Sequence, residues 1–181
     1  MTLQRQRWIA GVAVTLFAVL ACLSGIDRMS ERRPTLARVI PALFQSHAVR
    51  AEAAKGLADG DSLAAAKAAR RAIRADPLDR RGPTFLAAAM LARGDDLAAA
   101  QAFAVADRIG QREPLVQAWF FGRAMERGAY AAAARRINIL QRVHPDLSIT
   151  RQLRSQLETR PAARRELLHL EGATVFNRVS E

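Results

Sequence analysis

The chain has 181 residues, a single cysteine and a formal net charge of +11. Arginine carries almost all of the positive charge, because only Lys55 and Lys67 among the 28 basic residues are lysines. One cysteine excludes an intramolecular disulfide, and the length suffices for one modest domain behind an N-terminal segment.

The first feature along the chain is an apolar segment. No charged residue occurs from Trp8 to Ile26, and Arg5 and Arg7 precede this segment. As a helix it would span about 28 Å, close to the roughly 30 Å hydrocarbon core of a bilayer. Its tryptophan would lie at the membrane interface. The segment predicts an uncleaved signal anchor, or transmembrane helix, within residues 1–29.

Two other interpretations of the N-terminal segment remain open. Cys22 and Ser24 are small enough to precede a signal-peptidase cut after Ser24, which would release a secreted chain. The sequence Val19-Leu20-Ala21-Cys22 loosely resembles a bacterial lipobox, which would make the chain a lipoprotein modified at Cys22. A buried core helix fits poorly, because the segment lies at the extreme N-terminus, outside the repeat described below.

The orientation of the segment is nearly balanced. The α-amine, Arg5 and Arg7 precede it, and several arginines follow it closely. Those that follow are Arg28, Arg32, Arg33 and Arg38. A short basic head before an apolar run is typical of an export signal, so we expect the remainder in the bacterial periplasm, tethered to the inner membrane. A cytoplasm-facing chain is the alternative. Residues 30–41 are a basic linker whose arginines could contact anionic lipid head groups.

Three glycines, Gly60, Gly94 and Gly128, recur at one fixed interval, and helix-forming residues lie on both sides of each. Glycine at this place is typical of a left-handed helix C-cap, and Asp61 or Asp95 can cap the next helix. A fixed period of this length predicts one helical unit stacked on copies of itself across residues 42–146.

The pattern resembles the tetratricopeptide repeat, a helix-turn-helix unit whose period is the same as that of the three glycines. Pro77 and Pro145, two periods apart, match the family's terminal proline. The small site of the first helix falls on Ala53, Ala87 and Phe121. The small sites of the second helix fall on Ala65, Ala72, Ala99, Ala106, Ala133 and Leu140, and its bulky site on Ala69, Phe103 and Ile137. The resemblance implies an α-solenoid that holds other molecules.

The repeat pattern fades after residue 146. Ser148 to Thr159 has the periodicity of a helix, and Pro161 separates it from a further helix that we expect to end near Gly172. Residues 147–172 are therefore predicted to cap the last repeat, and residues 173–181 to form a tail. The predicted fold class is all-α: an N-terminal anchor helix, a tetratricopeptide-like α-solenoid of about three hairpins, and capping helices.

The sequence contains no motif for catalysis. His47, His144 and His169 lack metal-ligand spacing, and there is no phosphate-binding glycine loop and no nucleophile motif. We therefore predict a non-enzyme without a cofactor, catalytic residue or metal.

A second periodic signal is basic. Arg74, Arg108 and Arg142 recur at the same interval as the glycines, so stacking would place them in a row along one outer edge. Six arginines make up what we call the predicted basic stripe: Arg70, Arg74, Arg108, Arg112, Arg135 and Arg142. Arg71 and Arg136 are expected to lie near it. The stripe would bind lipid head groups, an acidic glycan or an acidic protein. The alternative interpretation is a solvated helix face with no binding function. Nucleic acid is disfavoured, because no aromatic residues alternate with these arginines.

The resemblance also implies a concave groove lined by the first helices. Its residues would be His47, Arg50, Ala54, Arg81, Thr84, Ala88, Leu91, Leu115, Ala118, Gly122 and Met125. Ala54, Ala88 and Gly122 stand where relatives that clamp a peptide carboxylate place polar donors. The groove therefore suits an apolar helix or extended segment. Trp119, Phe120 and Phe121 are expected either in this surface or in the core between repeats.

These observations predict a membrane-tethered adaptor that binds a protein partner at the bacterial cell envelope. The alternative is a binder of an anionic polymer, such as an acidic exopolysaccharide or lipid head groups, in envelope or polysaccharide assembly.

Overall fold

The computed structural model describes residues 15, 17–26, 28, 29 and 46–179, and it places side chains as far as Glu171. Helices are the only regular elements in these residues, which confirms the all-α class. From residue 46 onward the helices are α1 (Ser46–Ala58), α2 (Ser62–Ala75), α3 (Arg81–Ala92), α4 (Asp96–Ile109), α5 (Pro114–Glu126), α6 (Tyr130–Val143), α7 (Ser148–Glu158) and α8 (Pro161–Val179).

The described N-terminal residues are helical, and several of their apolar side chains are exposed: Phe17 is 74% exposed and Val19 is 50% exposed. Among the described residues, none of the helices combines the length and the apolarity that crossing a membrane requires. The predicted anchor, Trp8 to Ile26, lies partly outside the described residues, and the predicted linker at 30–41 lies entirely outside them. The anchor therefore stays a prediction.

The chain divides into two compact units, residues 1–99 and residues 100–181, and the first residues of α4 belong to the first unit. In the first unit, α1 and α3 both pack against α2 and against each other. In the second unit, α6 packs against α5, α7 and α8, while α7 also contacts α5 and α8. The predicted capping helices thus pack against the last repeated helix pair.

The predicted glycine turns are confirmed. Gly60, Gly94 and Gly128 have φ angles of +77°, +74° and +70°, the left-handed region that glycine adopts without steric cost. The next helices are capped as expected in two copies. The Oδ1 atom of Asp61 accepts a hydrogen bond from the Ala64 amide at 2.9 Å, and Oδ1 of Asp95 accepts one from the Ala98 amide at 3.0 Å. The third copy has no side-chain cap.

The second helix of each pair ends where the sequence indicates. Helix α2 ends before Asp76-Pro77, and α6 ends before His144-Pro145, because proline cannot continue a helix. The middle copy lacks that proline, and α4 ends before Gly110. Glycine and proline residues at these places in the sequence therefore set the boundaries of the helix pairs.

The core of the first unit is built almost entirely of alanine. One buried cluster consists of Val49, Ala53, Ala68, Ala69 and Ala72, and another of Ala65, Ala66, Ala89, Met90 and Ala99. Small side chains let the helix axes approach closely. At Gly56 a Cβ atom would lie 2.9 Å from the Ala65 backbone nitrogen, so only glycine fits this contact between α1 and α2.

The second unit has larger core side chains. Its buried cluster consists of Phe121, Ala124, Ala133, Ala134, Ile137, Leu140, Leu153, Leu157, Ala163 and Leu167. Phe121 is fully buried although it occupies the site where the other copies have Ala53 and Ala87, which are also fully buried. The second unit therefore fills with an aromatic ring a place that the first unit closes with alanine.

The last helix is longer than predicted. We expected an end near Gly172, but α8 continues to Val179. A glycine inside a helix costs only about 1 kcal/mol relative to alanine, and no proline follows it before the chain ends. Gly172 alone is therefore too weak a signal to stop α8.

Candidate functional site

The predicted groove residues of the first unit fall into two groups. Arg81 and Ala54 are exposed, Leu91 is 38% exposed, and His47 and Ala88 are half-buried. These side chains present mainly small or apolar surface, with a cation at Arg81. The other two predicted residues, Arg50 and Thr84, are buried.

Arg50 and Thr84 serve the fold of the first unit, which corrects the prediction that they line an open groove. Arg50 is 8% exposed and forms an ion pair with Asp79, in the loop between α2 and α3. A buried cation requires such a partner, because desolvation alone would be costly. The Thr84 hydroxyl donates to the Arg80 carbonyl at 2.8 Å. Both side chains are therefore engaged within the protein.

In the second unit, Leu115 and Gly122 leave accessible surface. Leu115 is 44% exposed, and a Cβ atom added to Gly122 would meet no atom within 4 Å. Ala118 and Met125 are partly buried and pack against the core cluster of the unit. The open part of the predicted groove on α5 is therefore centred on Gly122 and Leu115.

All six residues of the predicted basic stripe are exposed. Arg70 and Arg74 belong to the first unit, and the other four belong to the second. Nε of Arg108 donates to the Ala104 carbonyl at 3.3 Å, which holds that side chain along its own helix. The alignment of the stripe as one row along both units stays a prediction.

The two arginines expected beside the stripe are used in ion pairs. Arg71 on α2 pairs with Glu52 on α1 in the first unit. Arg136 on α6 pairs with Asp107 on α4 in the second unit. These side chains link helices to one another.

The Arg136 pair is part of a polar network that the sequence analysis missed. The guanidinium binds Asp107 through two nitrogens, with Nη1 2.6 Å from Oδ1 and Nη2 3.0 Å from Oδ2. Nη1 also donates to Oε1 of Gln117 at 3.1 Å, and Nε2 of Gln117 donates to Oδ1 of Asp107 at 3.4 Å. Gln117 is fully buried. The network joins α4, α5 and α6 through charge-assisted hydrogen bonds.

Aromatic rings lie beside this network. The ring of Trp119 stacks on Phe103 at 4.8 Å and meets Phe120 edge-on at 4.9 Å. The Arg136 guanidinium lies 4.5 Å from the centroid of Phe120, a cation–π contact. Trp119 and Phe120 are half-buried, while Phe121 belongs to the core. The aromatic run of α5 is therefore mainly structural.

A sequence signal for the network did exist. Moving by one or two repeat periods, Gln117 corresponds to Val49 and Pro83, and Arg136 corresponds to Ala68 and Ala102. Asp107 corresponds to Ile73 in the copy before it and to Gln141 in the copy after it. Each polar residue thus replaces an apolar residue of another copy. Three such replacements on the consecutive helices α4, α5 and α6 indicate a local polar cluster.

The histidines were not predicted to bind a metal, and His144 has a structural contact instead. In the part of the chain that the structure describes, no group of three or more His, Cys, Asp and Glu residues could hold a metal ion. Nε2 of His144 lies 2.8 Å from the Arg112 carbonyl and donates to it, which fixes the end of α6 to the loop before α5.

No family model matches the chain, and neither a curated protein nor a solved structure has significant similarity to it.

Proposed function

We propose that the chain is a membrane-tethered, tetratricopeptide-like adaptor whose repeats bind a helical or extended segment of a protein partner at the bacterial cell envelope. The observation that carries the proposal is the recurrence of one helix pair: three pairs, each joined by a glycine with nearly the same positive φ angle. Repeated helix pairs of this kind supply binding surfaces, and their partner is set by the side chains they expose.

Burial of the repeat positions supports this assignment. The residues at the small and bulky sites of the second helices are all buried: Ala65, Ala69, Ala72, Ala99, Phe103, Ala106, Ala133, Ile137 and Leu140. A repeat that stacks must bury these positions, because each helix pair closes the core of its neighbour.

The chemistry of the groove favours an apolar partner segment. On α3 the accessible groove residues are Ala88 and Leu91, and on α5 they are Leu115 and Gly122. Small residues leave room for the partner's side chains, and exposed leucines offer apolar contact. Arg81 supplies a cation at the start of α3.

Filling the groove tests the adaptor function. We expect Gly122→Leu to weaken capture of the envelope partner at least about tenfold, because the added side chain would occupy the space that the partner needs. The matched control is Gln101→Leu, which adds an apolar side chain at an exposed position on α4. The measurement is quantitative mass spectrometry of proteins captured from solubilised envelopes. Equal capture by wild type and Gly122→Leu would contradict the proposed groove.

A second candidate function, binding of an anionic polymer, is favoured by one observation. Within the described residues, the side chains of Arg70, Arg74, Arg112 and Arg135 have no ion-pair partner, and all are exposed. Unpaired guanidinium groups on a chain of net charge +11 attract lipid head groups or acidic glycans.

Charge reversal separates the two candidates. If the stripe is the binding surface, the triple variant Arg74→Glu, Arg108→Glu and Arg142→Glu loses retention on an acidic glycan or on anionic vesicles, and wild-type retention falls steeply with salt. The matched triple variant changes Arg93, Arg127 and Arg151 to Glu, which alters the net charge equally at other exposed positions. The adaptor function predicts that both triple variants still capture the protein partner.

The tether has its own test. We expect the full chain to fractionate with membranes and a chain lacking residues 1–33 to be soluble and helical, because the uncharged segment at Trp8 to Ile26 would be held by lipid. Intact mass distinguishes an uncleaved anchor from a cleaved chain and from lipidation at Cys22. Protease added to intact spheroplasts distinguishes periplasmic from cytoplasmic repeats. A full-length, uncleaved chain in the soluble fraction would contradict the tether.

A further inference from the structure

A cleft lies where the end of α7 meets the beginning of α8. Its volume is about 360 Å³, and it is lined by Glu158, Pro161, Arg164, Arg165 and Leu168. Small-ligand sites span roughly 300–1,000 Å³, so the cleft has room for a small molecule. Pro161 and Leu168 give it an apolar wall, and Leu168 is 54% exposed.

The cleft carries unbalanced positive charge. Arg164 and Arg165 are exposed, and within the described residues neither guanidinium has a partner. The one carboxylate in the lining, Glu158, already accepts a hydrogen bond from Nε of Arg154 at 2.8 Å. That hydrogen bond raises the pKa of Arg154. Nη1 of Arg154 also lies 3.1 Å from Oε1 of Glu171.

We propose that this cleft binds an oxyanion carried on a short apolar chain. The guanidinium groups of Arg164 and Arg165 can both bind carboxylate or phosphate oxygens, because arginine donates several hydrogen bonds to such groups at once. The apolar chain would lie against Leu168 and Pro161, where it removes exposed apolar surface from water. The site is independent of the proposed adaptor groove, which lies on other helices.

Hexanoate and its neutral isostere hexanamide test the proposal on the full chain in neutral maltoside micelles. The measurement is the amide chemical shifts in ¹⁵N TROSY spectra during titration. We expect saturable shifts at Arg164 to Leu168 with hexanoate, and at least about tenfold weaker binding of hexanamide, because it lacks the charge that the guanidinium groups attract. Hexyl phosphate is titrated in parallel, and the tighter of the two anions identifies the head group.

Two variants test the residues. The double variant Arg164→Gln and Arg165→Gln should lose most of the anion affinity while its spectrum remains folded, and Leu168→Ala should weaken binding of both ligands. Arg151→Gln removes an exposed arginine elsewhere on α7 and should bind like wild type. The proposal is overturned if neither anion gives saturable shifts at α8, if hexanamide binds as tightly as hexanoate, or if the double variant retains wild-type affinity.

Discussion

Replacing Asp107 with alanine is expected to destabilise the second unit by about 2–4 kcal/mol. The change leaves the Arg136 guanidinium and the Gln117 amide without the carboxylate to which both donate. The side chains of Arg136 and Asp107 are only 21% and 16% exposed, so water replaces the lost partner poorly. Pairs that are buried completely cost more to break, about 3–5 kcal/mol, because water cannot reach the remaining charge at all.

Trp119 provides a local measurement of this loss, because it touches the aromatic rings beside the network. The chain has two tryptophans, so Trp8→Phe makes the fluorescence specific to the second unit. Urea unfolding of Asp107→Ala is compared with Glu126→Ala, which breaks the exposed Arg123–Glu126 pair and should cost under about 1 kcal/mol. Equal unfolding midpoints for the two variants would refute a stabilising role of the network.

Replacing Phe121 with alanine should cost about 3–5 kcal/mol of unfolding free energy. The ring is fully buried among core side chains from α6 to α8, and its removal leaves a cavity that those helices cannot close without moving. The repeat alignment, which places alanine at this site in the other copies, would instead suggest that the change is harmless. The structure supports the opposite expectation.

The reciprocal change tests the same point in the first unit. Ala87→Phe should destabilise that unit by at least about 1–3 kcal/mol, since Ala87 is fully buried and a ring there forces the helices apart. Leu115→Ala is the control on α5, because its side chain is 44% exposed and its loss should cost under about 1 kcal/mol. Thermal unfolding followed by circular dichroism measures all three. A stable Phe121→Ala variant would mean that the site can collapse onto alanine.

The sequence predicted those parts of the fold that depend on local backbone chemistry. The turns at Gly60, Gly94 and Gly128 were predictable because only glycine adopts their φ angles easily, and the helix ends at Asp76 and His144 because proline follows each. The period extends these predictions to the tertiary structure, since the small and bulky sites of the second helices are buried in all three copies.

The sequence could not predict contacts between residues that differ from copy to copy. Arg50 was assigned to the groove because the resemblance placed its position on the concave face, but Asp79, in the loop between α2 and α3, pairs with it. The partners of Arg136 are Asp107 and Gln117, on two other helices. The same set of polar residues does not recur in the other copies, so the period gives no sign of the contact. Such pairs depend on the three-dimensional arrangement of single side chains, which periodicity does not encode.

The alanine core of the first unit has a consequence for its motions. Burying a methyl group releases far less free energy than burying a phenylalanine or leucine, so each helix of this unit gains little from its neighbours. Its helices should open locally at a lower free-energy cost than those of the second unit, whose core holds Phe121, Ile137 and several leucines. Amide hydrogens of α1 to α3 would then exchange with solvent faster than those of α6. A segment bound along these helices would supply the apolar contact that their alanines lack, and it would slow that exchange.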